Sequence, residues 1–137
     1  MNLPQERYLI AGLGSIGRRH LANLRRLRPR AQIGVWRLHS GLDSQPPEGA
    51  DAQFASLEQA LAFAPAAAII AGPASTHLAL ARPLAAAGIH LLIEKPIAAQ
   101  PAGVAELIAD CRERGLVLMT GYNLRFSPSL QAVKASL

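Results

Sequence analysis

The chain has 137 residues, one cysteine, 4% aromatic residues and a formal net charge of +5 at pH 7. That length supports a single domain burying roughly two-thirds of its unfolded surface without a disulfide or metal staple, so no metal site is expected. The lone Cys111 fits a reducing compartment, no stretch approaches the ~18 apolar residues of a membrane span, and scarce aromatics leave no stacking platform for single-stranded nucleic acid; a soluble, cytoplasmic protein is expected.

Apolar runs alternate with helical patterns along the whole chain. Arg7 to Ala11 reads as a strand and Ile16 to Leu27 as a helix stopped by Pro29. Ile33 to Trp36 is a second strand, His39 to Asp51 a loop, and Ala52 to Phe54 a weak third strand. Ser56 and Gln59 form a Ser-x-x-Gln capping pattern at the next helix. Ala67 to Ala71 is a fourth strand, followed by a helix from Thr76 to Ala87 that Gly88 ends and that Pro83 is expected to kink or break. His90 to Glu94 is a fifth strand. Pro101 fits the first turn of a helix reaching Arg114, and Leu116 to Thr120 is the sixth strand. Ser127 and Pro128 then start another helix, with Leu130, Val133 and Leu137 as its apolar stripe.

Six such strands with intervening helices call for an α/β fold. The expectation is a doubly wound parallel sheet, the three-layer αβα Rossmann arrangement, in the order 3-2-1-4-5-6. Residues 1–126 form this domain, and 127–137 begin a linker helix.

Eight of the twelve arginines fall in the first 37 residues. Arg18, Arg19, Arg25 and Arg26 interleave with Ile16, Leu21, Leu24 and Leu27 as the solvated face of an amphipathic helix. A positive field that favours a phosphorylated small molecule accounts for the charge better than nucleic-acid binding does, and no nucleic-acid partner is expected.

The motif after the first strand is Gly12-x-Gly14-x-x-Gly17, with Ser15 and Ile16 opening the helix. Gly12 permits the tight turn, Gly14 leaves room for a pyrophosphate, and Gly17 lets helix and strand pack closely; the helix N-terminus faces the anion. Three further polar motifs follow strands four, five and six: Gly72-Pro73-Ala74-Ser75-Thr76-His77, Glu94-Lys95-Pro96, and Gly121 to Pro128 with Arg125 inside it. All lie at carboxyl ends of strands, where open parallel sheets bind ligands.

This set and order resembles the N-terminal, dinucleotide-binding half of the Gfo/Idh/MocA oxidoreductases, over nearly the whole chain. The resemblance implies that Lys95 points at the substrate hydroxyl whose carbon gives up hydride. It also implies that the loop from Pro73 to His77 lies along a bound NAD or NADP. A positioned ammonium stabilises alkoxide character on that oxygen, which suits Lys95 as the catalytic residue; the alternative is a solvated lysine paired with Glu94. A cis bond before Pro96 would aim the lysine, although only about one X-Pro bond in twenty is cis. His77 could contact cofactor ribose or phosphate, or simply begin a helix. His20 reads as packing or surface. Arg125 could reach substrate or nicotinamide, or tie the last strand to a helix.

Where an acid would accept the adenosine ribose hydroxyls, the chain reads Arg37-Leu38-His39-Ser40, with no carboxylate until Asp43. A guanidinium there favours a 2′-phosphate by roughly 1.5–3 kcal/mol. NADP is therefore the expected cofactor, with NAD as the alternative, bound by Gly12, Gly14, Ser15, Ile16, Gly17, Arg37, Ser40, Gly72, Pro73, Ser75, His77, Glu94, Lys95, Pro96 and Arg125. The resemblance implies a sugar, polyol or nucleotide-sugar substrate, and a second, mostly β domain that holds the general acid/base and is absent from this sequence. The chain alone is then expected to be inactive and, with its apolar stripe uncovered, to form homo-oligomers. A stand-alone dinucleotide-binding module is the alternative.

Overall fold

The computed structural model describes residues 6–38 and 41–137. Six strands, β1 (Arg7–Ala11), β2 (Gln32–Trp36), β3 (Ala52–Phe54), β4 (Ala67–Ile70), β5 (His90–Ile93) and β6 (Leu118–Thr120), form one sheet in the order β3-β2-β1-β4-β5-β6. Every adjacent pair is parallel. The expected topology is the observed one, and the chain reverses direction across the sheet between β1 and β4, the crevice where ligands of doubly wound sheets lie.

Helix α1 (Ser15–Leu27) covers one face over β1 and β2, burying Leu21 against Ile10, Ile33 and Val35. Helices α2 (Leu57–Ala62), α3 (His77–Ala86) and α4 (Val104–Glu113) belong to the opposite face, where Leu80, Leu84, Leu107 and Cys111 pack with Leu9, Ile70, Leu91 and Ile93. The α1 face opens toward β6. Ile10, Ile69, Leu92 and Met119 are aligned through the strand registers, and exposure rises along that row from 0% at Ile10 to 52% at Met119. Helix α5 (Pro128–Ala135) ends the chain with Leu130 and Val133 exposed.

Several local expectations shift. Pro83 does not break α3, because Leu80, Ala81, Leu84 and Ala85 on either side of it are all buried and outweigh one missing backbone bond. Pro101 lies in a turn before α4, and the helix starts at Val104 because Gly103 adopts a left-handed φ of 85°. At α2, Ser56 Oγ accepts from the Gln59 amide at 3.2 Å, while the Gln59 side chain accepts from Ala55 rather than from Ser56. Arg25 also departs from the solvated-face reading. Its guanidinium donates to the carbonyls of Gly49, Pro29 and Ala31 at 2.8–3.0 Å and pairs with Asp51 at 2.6 Å, so it clamps two loops below α1.

Candidate functional site

At the carboxyl rim of the sheet a cleft of about 410 Å³ is lined by Gly12, Leu13, Gly14, Ser15, Ile16, Arg37, Leu38, Ala71, Gly72 and Pro73. It lies between the turns that follow β1, β2 and β4, at the switch point of the topology. Gly12 has φ 98°, and a side chain there would meet the Gly72 amide nitrogen at 2.8 Å, so the two turns touch through backbone alone. A Cβ at Gly17 would overlap the Gly12 carbonyl oxygen; its absence lets α1 start directly under the turn. A Cβ at Gly14 would meet nothing within 4 Å, which leaves that space to the cleft.

No side chain caps α1 at Gly14, and its first turn holds no acidic residue. Its free amides and positive dipole end thus face the cleft without an internal anion, an arrangement worth about 0.3–1 kcal/mol to a bound negative group. A phosphate-bearing ligand fits this donor set.

Arg37 stands at the β2 end of the cleft with its side chain only 12% exposed, and its Nη1 donates to Asp43 Oδ2 at 2.8 Å. Leu38 reaches Gly72, where an added Cβ would come within 2.7 Å of its Cδ1. Ser40 lies outside the described residues. Ser75 is exposed in the short 3-10 turn Ala74–Thr76 that leads into α3.

His77 is 1% exposed and does not line the cleft. Of the two roles the sequence leaves open for it, the structure shows a residue that begins α3 with its ring inside the protein. Its Nδ1 lies 2.9 Å from the Pro96 carbonyl oxygen and its Nε2 2.9 Å from that of Gly72. Both partners are carbonyl acceptors, and the ring nitrogen that carries the proton donates to the one it faces. The ring ties the turn after β4 to the segment after β5.

That segment holds Glu94, Lys95 and Pro96, and the Lys95-Pro96 bond is cis. Lys95 is exposed and, among the described residues, its ammonium has no ion-pair partner, so it is not the lysine paired with Glu94 that the alternative reading required. Only its amide engages Glu94, donating to Oε2 at 3.1 Å. Glu94 turns its carboxylate to the protein: Oε1 accepts from His20 Nε2 at 2.7 Å. Arg125 is exposed, with its guanidinium 5.6 Å from the Phe126 ring, and is not part of the cleft lining.

Sequence reasoning missed Leu13, Leu38 and Ala71 in the cleft wall and the pairing of His20. The three apolar residues each adjoin a residue that was singled out; His20 is 74 residues from its partner, and nothing local signals the pair.

The profile of an oxidoreductase family, described as an NAD-binding Rossmann fold, matches residues 6–122. The chain belongs to the Gfo/Idh/MocA oxidoreductase family. Among its relatives, the uncharacterized oxidoreductase YrbE of Bacillus subtilis is 28% identical over 130 residues, 91% of this chain and 38% of that protein. The UDP-N-acetylglucosamine 3-dehydrogenase of Acidithiobacillus ferrooxidans is 38% identical over 81 residues, 59% of this chain and 26% of its own length. The solved structure of GnnA, a UDP-N-acetylglucosamine 3-dehydrogenase from the same organism, superposes with a TM-score of 0.79 at 30% identity, covering 98% of this chain and 44% of that one. The WlbA dehydrogenase of Bordetella pertussis, solved with NADH and UDP-GlcNAcA, gives a TM-score of 0.78 at 27% identity, over 96% of this chain and 39% of that one. The chain thus spans less than half the length of these relatives. No helix among the described residues is long and apolar enough to cross a membrane.

Proposed function

We propose that this chain is the dinucleotide-binding part of an NADP(H)-preferring oxidoreductase that acts on a CH–OH or C=O group of a sugar, polyol or nucleotide sugar. The observation that carries the reading is the uncapped, acid-free N-terminus of α1 facing the cleft beside Gly14. Gly12 to Gly17 would hold the pyrophosphate, Arg37 with Ser40 the adenosine ribose, and Gly72, Pro73 and Ser75 the length of the dinucleotide. His77 and Pro96 would act by holding that loop and the lysine segment together.

The nicotinamide supplies hydride exchange. The chain's own contribution to chemistry would be Lys95, whose free ammonium donates to the substrate oxygen and stabilises alkoxide character there. The dehydrogenase names of the relatives and the nucleotide sugar bound to WlbA support the substrate class. The open sheet row ending at Met119 fits coverage by further polypeptide that would carry the remaining substrate contacts.

Calorimetric titration of the chain with NADPH and NADH, repeated on Arg37→Ala, tests the reading. Tighter NADPH binding that falls about tenfold to a hundredfold in the variant is expected. Equal affinity for both nucleotides, unchanged in the variant, would overturn the NADP preference; binding of neither would overturn the cofactor role of this chain.

A further inference from the structure

Lys95 has no side-chain tether of its own, yet the residue before it is fixed from three directions. The Glu94 carboxylate accepts from His20 Nε2 at 2.7 Å and from the Lys95 amide at 3.1 Å, and it rests against Gly121, where a Cβ would come within 2.9 Å of Oε1. His20 and Glu94 side chains are only 20% and 13% exposed. A carboxylate only accepts, so the His20 ring must carry its proton on Nε2 in this contact. On the other side, His77 holds the Pro96 carbonyl at 2.9 Å.

We infer that His20 is a positioning residue for Lys95, acting through Glu94, so that helix α1 sets the orientation of the lysine as well as the anion site. The inference rests on the proposed cofactor reading. Helix α1 is a rigid element buried against β1 and β2, whereas the segment after β5 has no regular structure up to α4. A hydrogen bond from the second turn of α1 therefore transfers the helix's fixed geometry to the Glu94-Lys95 peptide. The same carboxylate then bonds the Lys95 amide, which restricts the rotation that carries the lysine stem. A glycine at 121 is what leaves room for the carboxylate to lie in this place.

Three variants of the full chain test this. His20→Leu removes the donor, His20→Gln restores a donor at the Nε2 position, and Gly121→Ala displaces the carboxylate from the opposite side. The Gly121 backbone lies outside the left-handed region, and the carboxylate is the far end of a flexible side chain, so the alanine variant keeps the fold. Each is titrated with NADPH and with 2′-phospho-ADP-ribose, which lacks nicotinamide, and the Lys95 amide proton is followed by NMR.

With the Glu94-Lys95-Pro96 segment bordering the nicotinamide end of the cofactor, the expected result is a five- to tenfold loss of NADPH affinity in His20→Leu and in Gly121→Ala, about the weight of one ordinary hydrogen bond. Binding of 2′-phospho-ADP-ribose should stay within twofold, the Lys95 amide should move upfield, and His20→Gln should restore both readouts. A general structural role would weaken the two nucleotides equally, and that result overturns the inference, as does unchanged binding of both. Should the parent chain bind neither nucleotide, the cofactor reading falls by itself, and an unmoved Lys95 amide in the variants then overturns the tether.

Discussion

Arg37, in the cleft wall, is paired with Asp43, Nη1 to Oδ2 at 2.8 Å, with the arginine side chain 12% exposed and the aspartate 63%. The first carboxylate after β2 is therefore the counter-ion of the residue that would choose the cofactor. A bound 2′-phosphate and Asp43 would compete for one guanidinium, and their like charges repel across a short distance.

Replacing Asp43 by Asn should consequently tighten NADPH, by about threefold given the exposure of the aspartate and its screening by solvent. NADH affinity should move less, since it brings no phosphate to that end. Parallel titrations of both nucleotides at low and at high salt check this. A gain for NADPH that shrinks with salt is the expected outcome, and an equal change for both nucleotides would mean that Asp43 acts on the shape of the loop.

Gly17 and Gly14 separate the structural from the ligand-facing demands of one motif. Gly17→Ala should destabilise the chain by about 1–3 kcal/mol, because its Cβ would overlap the Gly12 carbonyl oxygen and the helix must retreat. Gly14→Ala meets nothing within 4 Å and should leave urea denaturation nearly unchanged while weakening dinucleotide binding. Denaturation midpoints set beside calorimetric affinities read the two effects apart.

The sheet was legible because each buried strand is a short apolar run bounded by polar turns, and parallel order with right-handed crossovers then leaves few arrangements. Seven of the residues singled out, Gly12, Gly14, Ser15, Ile16, Arg37, Gly72 and Pro73, line one cleft for the same reason: each follows a strand at its carboxyl end. What stayed hidden depends on partners distant in sequence. His77 looked like a helix-start residue free to touch ligand, yet backbone carbonyls 5 and 19 residues away claim both its nitrogens. Carbonyl groups carry no residue identity, so no pattern of letters announces them.

Arg25 shows the same limit and gives a sharp contrast. Arg25→Ala removes three bonds to loop carbonyls and leaves Asp51 holding only backbone amide contact at Ile33. A loss of about 2 kcal/mol is expected. Its neighbour Arg26 is exposed, and Arg26→Ala should stay within about 0.5 kcal/mol of the parent. Thermal and urea unfolding of the two variants decide whether the basic helix is one solvated face or hides a clamp.

Burial pushes the Cys111 thiol above its usual range, Asp110 adds to the rise, and Arg114 opposes it. The folded state therefore holds the thiol proton more tightly than the unfolded chain does. Its contribution to stability is complete below the unfolded thiol value of about 8.5 and is lost as pH rises through the folded one. Cys111→Ala should remove that part of the alkaline slope, at the cost of a small cavity at every pH. Unfolding free energies of parent and variant between pH 7 and 10, subtracted at each pH, check the sign.

Met119 ends a row of side chains on the α1 face whose cover stops short of β6 and, with Phe126 at 70% exposure and Leu130 at 48%, leaves apolar surface in water. Such surface associates when nothing else covers it. Sedimentation of the chain should therefore show self-association that deepens with concentration. Met119→Lys sets a charge at the edge strand, where a lysine discourages pairing, and should shift the equilibrium toward monomer without lowering stability. If the parent chain sediments as a monomer at high concentration, or if association survives the lysine unchanged, the row is not the contact. An association lost only in Leu130→Lys would place the contact on α5 instead.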